Sequence, residues 1–191
     1  MVQSIAPEVS VGSGRLLPSS ATRVLCLGND LLADDAFGLE VAERLRRILS
    51  TEVEIVCSSE SGFGLVECVT GCDALIIVDC IRTGATPGTI HTIGLESLES
   101  GVADSPHRTG IMEVLKAART LGLSAPQRVV IHAVEAADVS TIGGPMDERV
   151  RDAIAIIVNQ VTRTPGVSTV PATQLPCAGP SSAQAITQLE R

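Results

Sequence analysis

The stretch that most limits the fold is Ala74 to Ile81, ALIIVDCI. It is apolar at every position but one and rich in Ile and Val. Such a run reads as a strand covered on both faces, the place of a central strand in a parallel α/β sheet. The exception is Asp79, near the carboxyl end. An uncompensated carboxylate there costs several kcal/mol, so Asp79 is expected to be paired or to hold a metal.

Helical and strand patterns alternate around this run. An apolar segment, Arg23 to Leu27, breaks at Gly28-Asn29 and leads to two adjacent acids, Asp34 and Asp35. A helix is expected from about 35 to 49, with Phe37, Val41, Leu45, Ile48 and Leu49 as its apolar stripe. Asp34 suits its N-cap, and Arg46 and Arg47 suit its negative end. A strand over 53–57, the loop SSESGFG and a short helix over 65–70 precede the central strand. After it, RTGATPG makes a turn into a short strand over 89–93. That connection is too short for a crossover helix, so the strand is antiparallel or at an edge. Residues 95–104 are acidic and irregular, and Ser105-Pro106-His107 closes them. A helix over 109–121, a strand over 128–134 and a last helix carrying Val150, Ile154, Ile157 and Val161 complete the pattern. The order predicts an α/β fold: a single doubly wound, mostly parallel five-stranded sheet with helices on both faces and one antiparallel or edge strand. The domain is expected over 22–162. A flexible leader over 1–21 and a disordered tail rich in Pro, Ser and Thr over 163–191 would flank it.

Composition removes several functions. The formal net charge of −8 opposes binding to nucleic acid or to an anionic membrane surface. With no Trp, no Tyr and two Phe, a base-stacking platform is also excluded. Cysteines at 26, 57, 68, 72, 80 and 177 form no C-x-x-C pair and read as small buried hydrophobes in a reducing compartment. No apolar run has the length of a membrane span, and the first residues lack a signal-peptide pattern. The expected location is the cytoplasm.

In doubly wound sheets, ligands sit beyond the carboxyl ends of the strands. Strands one and three are commonly neighbours, so Asp35 at the helix mouth and Asp79 would face one cleft. Of three histidines, His91 and His132 fall within strands and are expected to be structural. His107 follows Ser-Pro just before a helix, where it can be held rigidly at the sheet's edge. Two carboxylates and an imidazole make a divalent-metal site with positions left for water or a substrate ligand; nickel, zinc and iron all suit it. H-E-x-x-H, G-x-S-x-G, G-x-x-x-x-G-K and G-x-G-x-x-G are absent, and no Ser or Cys nucleophile with a placed base emerges. A phosphoacceptor receiver switch shares the acid pattern. It would need a lysine at the end of strand five, where this chain reads AVEAAD, and its acids would stand directly at the strand end.

Three separated motifs carry a more specific resemblance. Gly28-Asn29-x-Leu-x-x-Asp34-Asp35-x-x-Gly38, Ile76-Ile77-Val78-Asp79 and Ser105-Pro106-His107-x-x-Gly110 resemble, in order and register, those of the nickel–iron hydrogenase maturation endopeptidases. The resemblance covers about 23–162. It implies a cytoplasmic, metal-dependent, aspartyl-type endopeptidase that removes the C-terminal extension of a hydrogenase large-subunit precursor after nickel insertion. The implied nickel ligands and catalytic residues are Asp35, Asp79 and His107, with the nickel supplied by the precursor. Gly28 and Asn29 would position the loop or the substrate, and Asp34 would be a cap or support a ligand. The expected partner is that precursor, and the expected state is a monomer. The alternative is a non-catalytic metal-binding or nickel-sensing module on the same fold. The chain departs from the family at Cys26 and Ala36, where glycine is usual. It departs again at Ser59-Glu60-Ser61-Gly62, where the family has an acid-Gly-Gly-Thr-like segment.

Overall fold

The computed structural model describes residues 22–94 and 106–170, with backbone alone at 106–109. Five strands form one sheet: β1 (Thr22–Leu27), β2 (Val53–Ser58), β3 (Ala74–Ile81), β4 (Ile90–Gly94) and β5 (Arg128–Glu135). Their order is β2-β1-β3-β5-β4. The β1–β2, β1–β3 and β3–β5 pairs are parallel, and β4 runs antiparallel to β5 at the edge. The expected fold class is borne out, with β3 at the centre and every one of its residues buried.

Side-chain alternation along the strands builds two cores. On one face, Val24, Cys26, Ile76, Val78 and Val134 meet helix α1 (Phe37–Leu45) and helix α4 (Glu148–Thr162) through Phe37, Val41, Leu45, Ile154 and Ile157. On the other, Leu25, Leu75, Ile77 and Ile131 meet helix α2 (Val66–Val69) and helix α3 (Pro106–Thr120) through Val69, Ile111, Val114 and Leu115. Asp79 shares the parity of Leu75 and Ile77, so it lies on the α3 face, near the exit of the sheet.

Two boundaries differ from expectation. The first helix opens with a 3-10 turn, Asp34–Ala36, and its α-helical part ends at Leu45. Leu49 is diverted into an antiparallel bridge with Thr169. The folded chain also runs past 162. Thr22 Oγ1 donates to the Gly166 carbonyl at 2.9 Å, the Ser50 and Ser168 hydroxyls lie 2.7 Å apart, and Val170 N–H donates to Ile48 at 2.9 Å. Residues 163–170 therefore strap the domain. The expected leader over 1–21, the acidic segment over 95–104 and the tail beyond 170 lie outside the described residues.

Candidate active site

The site is built where β1 meets the mouth of α1. Two glycines permit that approach. A Cβ on Gly38 would collide with the Leu27 carbonyl, and one on Gly28 with the Asp35 carbonyl. The loop between them is held by Asn29. Its N–H donates to the Asp35 carbonyl at 3.2 Å, and its Oδ1 accepts the Leu31 N–H at 3.0 Å. Asn29 thus organises the loop through an Asx turn.

Asp34 is not a helix cap. Neither the 3-10 turn nor α1 has a side-chain cap. Instead the carboxylate, 1% exposed, accepts three backbone N–H groups from the loop after β5. Ala137 and Asp138 donate to Oδ2 at 2.7 and 2.8 Å, and Asp147 donates to Oδ1 at 2.7 Å. Three charge-assisted bonds offset the desolvation of a buried carboxylate, which local sequence reasoning could not supply. Asp35, next in the chain, is less buried and stands at the rim.

Asp79, 3% exposed, is fixed through Oδ1, which accepts the Cys80 N–H at 2.8 Å. Its strand neighbour on β5 is Ala133. Burial pushes the Cys80 thiol far above the ordinary cysteine range, and the negative charges of Asp79, Asp34, Asp35 and Glu135 push it further. Four carboxylates from three segments, the turn before α1, β3 and β5, thus lie within Coulombic reach of this thiol at the carboxyl edge of the sheet. The neutral thiol offers no nucleophile. Burial and the neighbouring Cys57 raise the Cys26 thiol likewise.

His107 is the second residue of α3, and its side chain lies outside the described atoms. The backbone shows how that turn is placed. A Cβ on Gly110 would stand 3.2 Å from the Gly62 Cα, so the first turn of α3 lies directly against the segment after β2. Ser59 and Glu60, in that segment, are exposed. Among the described residues, no three of His, Cys, Asp and Glu form a metal-holding group.

Glu135 escaped the sequence reading. It ends β5, is 2% exposed, and accepts the Thr83 N–H at 2.7 Å, the Thr83 hydroxyl at 2.8 Å and the Gly84 N–H at 2.8 Å. Burial alone would raise its pKa, but these bonds outweigh it and hold the carboxyl below the ordinary range, with help from His91. The His91 Nε2 lies 3.4 Å away, too distant and misaligned for a good hydrogen bond. An acid closing an apolar strand was the same signal that singled out Asp79. His132 is structural: its ring is buried and its nitrogens lie 3.4 Å from the Thr92 and Thr164 hydroxyls.

Fold and site together describe an α/β domain with a carboxylate cluster at a topological switch point. Comparison with known proteins is more specific. A family model described as hydrogenase maturation protease matches residues 39–164. The hydrogenase expression/formation protein HupD of Rhizobium leguminosarum bv. viciae is 33% identical over 153 residues, 76% of this chain and 75% of that protein. HupD of Bradyrhizobium diazoefficiens is 34% identical over 137 residues, 69% of this chain and 71% of that one. Among solved structures, the hydrogenase maturating endopeptidase HybD from E. coli superposes with a TM-score of 0.68 at 29% identity, covering 80% of this chain and 98% of that chain. The chain belongs to the hydrogenase maturation protease family, and its class is that of a peptide-bond hydrolase. No described helix is long and apolar enough to cross a membrane.

Proposed function

We propose that the protein is the endopeptidase that removes the C-terminal extension of a nickel–iron hydrogenase large-subunit precursor once nickel has been inserted. The observation that carries this reading is that the turn bearing Asp35 packs against β3, whose carboxyl end bears Asp79, with both carboxylates within Coulombic reach of the Cys80 thiol. His107 is the second residue of α3, whose first turn lies against the segment after β2. An oxygen–nitrogen donor set of this kind suits a borderline divalent ion.

The nickel belongs to the precursor. Asp35, Asp79 and His107 complete its coordination and so recognise a loaded substrate. Bound in this way, the ion orients the tail and can polarise the scissile carbonyl. The chain's own contribution is to hold the ligands. Asp79 is oriented by the Cys80 N–H, and Asp35 by a turn whose carbonyl is tied to Asn29. With the buried thiols neutral, water is the attacking group; the amide nitrogen leaves with a proton. The enzyme acts as a cytoplasmic monomer.

The test is to incubate the protein with nickel-loaded precursor and follow the mass of the large subunit. Wild type is expected to shorten it. Asp79→Asn and His107→Ala are each expected to slow processing about 100-fold or more. Processing at full rate by either variant would overturn the ligand assignment. Wild type that binds precursor but never cuts it would favour the non-catalytic module.

A further inference from the structure

An open recess of about 540 Å³ lies at the carboxyl edge of the sheet, between the loop after β3 and the segment after β5. Its lining includes Arg82, Gly84, Pro87, Glu135 and Ala137. That volume falls within the range of roughly 300–1,000 Å³ typical of small-ligand pockets. Its walls are tethered to the acid cluster. Ala137 donates to Asp34, the residue before Asp35, and the other wall begins three positions after Asp79. Glu135 fixes that second wall through Thr83 and Gly84.

The recess holds one cation among its lining residues, Arg82. The side chain is exposed, and among the described residues it has neither an ion pair nor a hydrogen-bond partner. The chain carries a net charge of −8 and Glu135 also lines the recess, so within its lining this guanidinium is the group that attracts an anion. A planar guanidinium presents the fork of donors that matches a carboxylate.

Resting on the endopeptidase reading above, we propose that this recess binds the segment that is cut away, with Arg82 paired to a carboxylate of that segment. The carboxylate is either the terminal one of the extension or that of an acidic side chain within it. The recess is then a specificity subsite on the leaving side of the scissile bond. Arg82 contributes ground-state and transition-state binding alike, which raises KM without changing kcat when it is lost.

Two measurements test this. In the precursor-processing assay, Arg82→Gln is expected to raise KM about fivefold, the scale of an exposed ion pair, with kcat unchanged, and Arg82→Lys to recover part of the loss. A synthetic peptide of the extension sequence is also titrated calorimetrically into wild type and Arg82→Gln, as free acid, as C-terminal amide, and with its acidic side chains replaced by amides. Weaker binding of the C-terminal amide, to wild type alone, identifies the terminal carboxylate. Weaker binding of the side-chain-neutral peptide, to wild type alone, identifies an acidic side chain. Equal binding of all three peptides to both proteins overturns the proposal. If wild type never cuts the precursor the endopeptidase reading fails, whereas the calorimetry still decides whether Arg82 recognises a carboxylate.

Discussion

Asp34 and Asp35 are adjacent and chemically alike, yet the fold gives them opposite tasks. Asp34 is sealed beneath the loop after β5 and gathers three N–H groups; Asp35 is left at the rim. Asp34→Asn should therefore destabilise the fold, because its amide would turn a donor toward backbone donors that have no other acceptor. The expected loss is roughly 2–4 kcal/mol. Urea denaturation should show it as a lower midpoint with an unchanged slope. The acid pair was legible in the sequence, but the task of Asp34 was not. A cap is a local interaction, whereas the donors to Asp34 lie 103 to 113 positions downstream.

At the scale of elements, the end of β5 controls the loop after β3. Glu135 is the acceptor that ties Thr83 and Gly84 to the sheet. Its folded pKa lies below the ordinary value of 4.5, so the stability it contributes is present above the ordinary glutamate range and is lost as pH falls through the folded pKa. Glu135→Gln should cost roughly 1–3 kcal/mol at pH 7, and thermal melts should show the gap to wild type closing below about pH 4. Helices and strands were legible as periodic patterns, including the antiparallel β4. Their ends were less so. The α-helical part of the first helix stops at Leu45 although Ile48 and Leu49 continue its apolar stripe, because Leu49 is claimed by a bridge to Thr169.

The whole molecule is held by a central parallel sheet and closed by a strap. Residues 163–170 read as tail by composition, yet Gly166, Ser168 and Val170 are bonded to the start of β1 and the turn after α1. A chain ending at Arg163 should lose roughly 1–3 kcal/mol, whereas a chain ending at Val170 should keep these bonds. Comparing their melting temperatures tests the strap: the shorter chain should melt several degrees lower. By itself the sequence determined the α/β class, the strand at the centre of the sheet, the family and the three residues proposed as ligands. Apolar periodicity and short motifs record these directly, since each depends on neighbours in the chain. Tertiary structure alone decided which acid of the pair is buried, that Glu135 braces the loop after β3, and that Arg82 stands in a recess beside the cluster. Each of those depends on groups far apart in sequence that only the packed sheet brings within hydrogen-bond or Coulombic reach.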